Sequence, residues 1–129
     1  MSENNSNAIS IDQAFLVKKL GNSTLNLKNS FIKSATYEGM YDKGIPNQKL
    51  IDHHTALAKG GVGLTTISYA AVNADARTFE NQMYINELSL VPLEKLAEKV
   101  HAAGGKVSIQ LTHCGFFSKN KKAKKIKYY

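Results

Sequence analysis

Two glycine pairs, Gly60-Gly61 and Gly104-Gly105, set the plan of this chain. Each closes a stretch with helical spacing, and each is followed at once by an apolar, β-branched run. Before the first pair, Leu50, Ile51, His54, Leu57 and Ala58 recur at the intervals that put side chains on one helix face. Before the second, Leu93, Leu96, Ala97, Val100 and His101 do the same. A glycine after such a run is the residue that takes the left-handed turn ending a helix. The spacing predicts helices over 47–59 and 93–103, with Pro46 and Pro92 pre-setting the first turn of each. It predicts strands at Val62–Ser68 and Lys106–Leu111 behind the glycines, and an earlier strand at Phe31–Ser34. Val62, Leu64, Thr65, Thr66 and Ile67 run with almost no polar alternation, as a strand covered on both faces does. Strand, helix, strand, helix, strand implies right-handed crossovers and a parallel sheet.

A doubly wound sheet and the opening of a (β/α)8 barrel both satisfy that order. Two features favour the barrel. Phe15–Lys18 and Leu25–Lys28 read as the arms of a small hairpin, placed to plug a barrel end before the first strand. The dinucleotide fingerprint G-x-G-x-x-G is absent after that strand, and Gly60-Gly61-Val62-Gly63 precedes a strand instead of opening a helix. On the residues alone both stay open, with the lean toward an α/β fold of the partial TIM (β/α)8 barrel kind, about the first three βα units with an N-terminal hairpin. It should occupy residues 12–118, with a basic tail at 119–129.

The net charge of +7 belongs to that tail. Lys119, Lys121, Lys122, Lys124, Lys125 and Lys127 stand there without an acid among them, and the body that remains is close to neutral. An alternative function follows: a small binding module whose tail contacts nucleic acid or an anionic surface. Against it, Tyr128 and Tyr129 sit together at the end and are not interleaved for base stacking. No apolar run approaches the roughly 20 residues a spanning helix needs. The polar start, Met1-Ser2-Glu3-Asn4, lacks a signal-peptide core. One cysteine, Cys114, excludes an internal disulfide and suits a reducing cytoplasm. His53 and His54 point about 100° apart on a helix and cannot easily share a metal; one surface ring and one partly buried ring are expected. His113 and Cys114 are too few for zinc, and Cys114 reads as a small structural residue.

The loops at the C-terminal ends of parallel strands are the usual ligand sites. Small side chains at Ser34 and Ala35 would let a planar ligand approach the backbone there. The long segment from Tyr69 to Leu88, with little structure of its own expected, is of a length that usually has a function.

Four blocks in register carry a resemblance. Lys28-Asn29-Ser30-Phe31-Ile32-Lys33-Ser34-Ala35-Thr36-Tyr37-Glu38-Gly39 resembles the first barrel strand of the old yellow enzyme family of NADH:flavin oxidoreductases. It is similar to the branch of bacterial enoate and dienoyl reductases. Leu57-Ala58-Lys59-Gly60-Gly61-Val62-Gly63-Leu64 resembles that family's helix-to-strand junction. Ala71-Val72-Asn73 with Arg77 resembles the loop after strand two. Val107-Ser108-Ile109-Gln110-Leu111-Thr112-His113 with Gly115 resembles strand three and its end.

The resemblance implies a TIM barrel holding FMN noncovalently at its strand C-termini. NAD(P)H reduces the flavin, which passes hydride to a small-molecule acceptor such as an electron-poor alkene. It also implies residue roles. Ala35 and Thr36, with Ser34 beside them, fall where the strand-one backbone lies against the flavin ring. Tyr69 falls where the end of strand two approaches it. Gln110 falls where a side-chain amide hydrogen-bonds the pyrimidine edge, a role that an amide's paired donor and acceptor suit. No catalytic or metal-binding residue is assigned.

A (β/α)8 barrel takes about 250 residues. The chain is therefore expected to be the N-terminal part of such an enzyme, ended by a frameshift or premature stop and inactive alone. Its open strand edges should self-associate, or pair with a separately encoded remainder of the barrel.

Overall fold

A computed structural model describes residues 10–119 of the chain. A four-residue helix α1 (Ile11–Ala14) leads into strands β1 (Lys18–Lys19) and β2 (Asn26–Leu27), which pair antiparallel with Lys18 opposite Leu27. This is the expected hairpin, its first arm moved along because Ser10 caps α1 and draws Ile11 to Ala14 into a helical turn. Strand β3 (Ile32–Lys33) follows, then a tight ribbon of β4 (Tyr41–Asp42) and β5 (Ile45–Pro46). Helix α2 (Gln48–Lys59), strand β6 (Leu64–Ala71), helix α3 (Glu87–Ala102) and strand β7 (Lys106–Thr112) complete the plan, with a 3-10 turn at Gly115–Phe117.

Among the described residues β3, β6 and β7 form one three-stranded parallel sheet in that order, and it does not close on itself. Ile32, Leu64 and Lys106 stand level across it. Helices α2 and α3 lie side by side over one face. Leu50, Ile51 and Ala58 of α2, Leu96 and Val100 of α3, and Ile67 and Ala70 of β6 form the core with Met83 and Tyr41. The helices can approach because Gly105 has no side chain: a Cβ there would lie 2.8 Å from the Ala58 Cβ. The other face carries a hydroxyl pair, Thr66 Oγ1 and Ser108 Oγ, 2.9 Å apart. No helix among the described residues is long and apolar enough to cross a membrane.

Several expectations shift. Both prolines were expected to open helices, and neither does. Pro46 lies in β5 opposite Tyr41, and Asn47 caps α2 by accepting from Lys49 N and Leu50 N. Pro92 is the sixth residue of α3, which starts at Glu87 because Asn86 and Ser89 form a capping box. The carbonyl that Pro92 leaves unpaired in an α-helical pattern is that of Leu88, an exposed residue, where water can serve it. The buried stripe of α3 omits His101, which is exposed, and His54 is fully buried instead of partly so. The 41–45 stretch, read as loop, is the β4–β5 ribbon. Lys43 and Gly44 both take positive φ (51° and 82°), as a two-residue hairpin turn requires. Strand β6 runs past Ser68 to Ala71 through a register shift between Ile67 and Ala70. The lysine-rich tail lies outside the described residues apart from Lys119, whose N–H donates to Thr78 O.

The turn before β3 is fastened to the α2–β6 junction. Lys28 Nζ donates to Ala58 O (2.7 Å) near the C-terminal end of α2, and Asn29 Nδ2 donates to Gly61 O (2.7 Å). Asn29 Oδ1 accepts from Phe31 N at 3.1 Å. Gly63 packs directly on this turn; a Cβ there would meet Asn29 Oδ1 at 2.7 Å and Asn29 O at 2.8 Å. Gly63→Ala is expected to destabilise the chain by about 1–3 kcal/mol, because backbone as well as side chain must move. Thermal unfolding checks this, and an unchanged midpoint would show that the junction yields freely.

Candidate functional site

Parallel strands bring their C-terminal ends to one edge, and the sequence-expected site residues lie along it. The chain leaves β3 as an arch, Ser34–Tyr37. Ser34, Thr36 and Tyr37 are exposed and Ala35 is half-buried. The arch's side chains make one hydrogen bond among the described residues, from Thr36 Oγ1 to Ser34 O at 3.4 Å. Tyr69 sits near the end of β6 at the bulge, with φ 63°. A left-handed backbone is uncommon for a tyrosine and is held here by its neighbours. Gln82, fully buried, donates from Nε2 to Tyr69 O (2.8 Å) and to Thr112 Oγ1 (3.2 Å). The Tyr69 hydroxyl bonds Thr78 Oγ1 at 2.8 Å. Its ring lies 6.5 Å from those of Tyr37 and Phe79, and Tyr37 and Phe79 are 5.4 Å apart edge-on.

Gln110 is exposed on β7. Ile67 pairs with Ile109 and Ala70 with Leu111, so Gln110 is level with the Ser68–Tyr69 bulge. Its side-chain amide makes no hydrogen bond among the described residues. The structure thus brings the arch and Tyr69 together through the aromatic group and sets Gln110 on the neighbouring strand at the same edge. Small exposed residues, an aromatic wall and a free amide fit one side of a flavin ring and its pyrimidine edge. The long segment expected from Tyr69 to Leu88 is shorter, because β6 continues to Ala71 and α3 starts at Glu87; what remains is organised by Asn73, whose Oδ1 accepts from Asp75 N and Ala76 N. Arg77 stacks over the Tyr84 ring at 4.7 Å.

Sequence reasoning missed the most interconnected group. Behind the arch, Glu38 is almost fully buried and faces groups from four segments. Lys33 Nζ lies 2.8 Å from Oε1, and His54 Nε2 lies 3.4 Å from it. Oε2 accepts from Ser68 Oγ (2.8 Å), Tyr41 Oη (3.1 Å) and Ser68 N (3.3 Å). Behind His54, Nδ1 shares a 2.7 Å hydrogen bond with Thr65 Oγ1. Burial alone would raise the Glu38 carboxyl. The close approach of His54, the hydrogen bonds from Lys33 and Ser68 and the Lys33 charge outweigh it and hold the group well below the usual carboxylate range. Burial pushes the Tyr41 phenol up, and the Glu38 charge adds to that. His53 is lowered, by burial first and then by the charges of His54 and Lys33. The available signal was positional: Lys33 and Glu38 bracket the arch, and His54 falls on the apolar stripe of α2.

A parallel βα sheet with a polar, aromatic-walled cluster at its strand C-termini is the class of site built at the mouth of a (β/α)8 barrel. Residues 17–127 match the NADH:flavin oxidoreductase / NADH oxidase family, and the chain belongs to it. It is 35% identical over 91 residues to a 4,4'-dithiodibutanoate disulfide reductase of Rhodococcus erythropolis, covering 70% of this chain and 23% of that protein. It is 31% identical over 94 residues to an NADPH dehydrogenase of Listeria monocytogenes, covering 70% of this chain and 28% of the other. The chain therefore spans about a quarter of the length of these two relatives.

Solved structures agree in fold. Morphinone reductase in complex with tetrahydroNAD superposes with a TM-score of 0.72 at 22% identity, over 81% of this chain and 28% of the other. Old Yellow Enzyme from a Pichia species gives 0.75 at 18%, over 82% and 28%. The described fold is thus a partial old yellow enzyme barrel. Family membership implies flavin and NAD(P)H chemistry.

Proposed function

We propose that this chain is the N-terminal portion of an FMN-dependent NAD(P)H:acceptor oxidoreductase and supplies the flavin-facing ends of its first three strands. What carries the reading is the meeting, at one sheet edge of a family member, of an open small-residue arch, a strained tyrosine and an unpaired amide. In it, the backbone of Ser34, Ala35 and Thr36 lies against the ring, Tyr69 borders it, and the Gln110 amide bonds the pyrimidine edge. When bound, FMN supplies hydride transfer from NAD(P)H to an activated alkene or similar small acceptor. The residues of this chain bind and orient it. Alone, the chain does not turn over, because three strands leave the barrel interior open to water. It works in the cytoplasm by pairing through its free strand edges, with itself or with a separately encoded remainder of the barrel.

A titration with FMN followed by amide NMR tests this. The expected result is weak binding with the largest shifts at Ser34, Ala35, Thr36 and Tyr69 and at the Gln110 side-chain amide. A shift map centred elsewhere, or none, overturns the flavin assignment. Oxidation of NADH by chain plus FMN faster than by free FMN would overturn the inactivity.

A further inference from the structure

We propose that Glu38 is the positioning residue of the flavin-facing arch, clamping Ser34–Tyr37 at both ends and fixing it relative to Tyr69. The inference rests on the flavin reading above and adds a role for residues which that reading leaves unused. The arch is four residues long and three of them are exposed; the Tyr37 ring packs against Tyr41, Tyr69 and Phe79, but Ser34, Ala35 and Thr36 have only one side-chain hydrogen bond, from Thr36 Oγ1 to Ser34 O within the arch itself. The order of those three must come from the ends. Lys33 stands immediately before it and Glu38 immediately after, and their 2.8 Å ion pair closes the arch into a loop. Lys33 Nζ also reaches Thr66 O at 3.4 Å, which ties the arch's base to β6.

The other carboxylate oxygen takes the Ser68 hydroxyl and N–H. Ser68 directly precedes Tyr69, so one side chain fixes the arch to the bulge that holds the tyrosine. Tyr41 Oη bridges the same two partners, at 3.1 Å from Glu38 Oε2 and 3.1 Å from Ser68 O. His54 closes the group from α2. A buried ion pair is a poor way to gain stability, since desolvation cancels much of the attraction. A fixed geometry between two ligand-contacting segments is what this one provides, and preorganisation of that kind is what a binding edge needs.

The test compares wild type with Glu38→Gln, which keeps the shape and removes the charge, and Lys33→Met, which removes the partner from the partly exposed side. Val100→Ala serves as a core control away from the edge. Backbone order parameters are measured by amide NMR, and FMN is titrated into each. In wild type the arch should be as rigid as β6, at about 0.85, and in both clamp variants it should fall below about 0.6. FMN should bind at least about tenfold more weakly to the clamp variants, since the arch must then be ordered on binding.

Val100→Ala should lower the melting temperature while leaving arch order and FMN affinity unchanged. A purely structural Glu38 would behave like that control. Arch order unchanged in Lys33→Met overturns the clamp even if Glu38→Gln does not fold. Loosening of the arch, together with no FMN-induced shift in wild type, supports the clamp and overturns the flavin assignment instead.

Discussion

Replacing Glu38 with alanine is expected to destabilise the chain by about 3 kcal/mol at neutral pH and to flatten its response to acid. The loss is large because the substitution strands buried partners. Lys33 loses its counter-charge, His54 Nε2 faces a void, and Ser68 and Tyr41 lose an acceptor. The pH dependence follows from the direction of the shift. Glu38 is held below its ordinary value of 4.5 in the folded chain. The unfolded chain therefore binds its proton first. The stabilisation is fully present above about 4.5 and drains away as the pH falls below that towards the folded value. Urea unfolding at a series of pH values from neutral to acid should show wild type losing stability below about pH 4.5, with the two curves converging there. Parallel curves would mean that the carboxylate is not the acid-sensitive element.

Leu96→Ala should cost about 3 kcal/mol, within the 2–5 kcal/mol usual for emptying a buried leucine site. Leu96 has no exposed surface and faces the α2–β6 core. Short strands, an open sheet and few core layers leave little stability in reserve, and in a domain this small each kcal/mol moves the melting temperature by roughly 4–8 °C. Denaturant unfolding should lose its sharp transition at room temperature. The matched control is Leu90→Ala on the same helix, where the side chain is 55% exposed; it should change stability by no more than about 0.5 kcal/mol. Equal effects at the two positions would mean that α3 is docked the other way round.

The order of elements was legible because it depends on repeated local signals: apolar spacing, then glycine, then β-branched residues. Gly61 and Gly104 take the positive φ that this reading requires. Helix starts were harder to read. Proline fits a first helical turn, and its presence hid the stronger signal of Asn86 with Ser89, which starts α3 five residues before Pro92. Topology placed the strand ends, and the small residues Ser34 and Ala35 marked the first of them, but Thr36, Tyr69 and Gln110 were singled out by the family resemblance. Glu38 could not, because its partners come from residues 33, 41, 54 and 68, brought together by the tertiary fold and by no local pattern. The Ser68–Tyr69 bulge was hidden for a similar reason. It depends on Gln82 reaching back from a segment without regular spacing to hold the Tyr69 carbonyl.

The backbone at Tyr69 has an evolutionary consequence. A left-handed residue costs a side chain roughly 1–2 kcal/mol that glycine does not incur. One base-by-base drift towards glycine would relax the bulge while Gln82 kept its grip on the carbonyl. The tyrosine here stands against that gradient, which goes unopposed once nothing selects for the ring. In lineages where a copy of this sequence has fallen out of use, position 69 should be among the first along the edge to lose its aromatic residue, well before the glycines that end the helices.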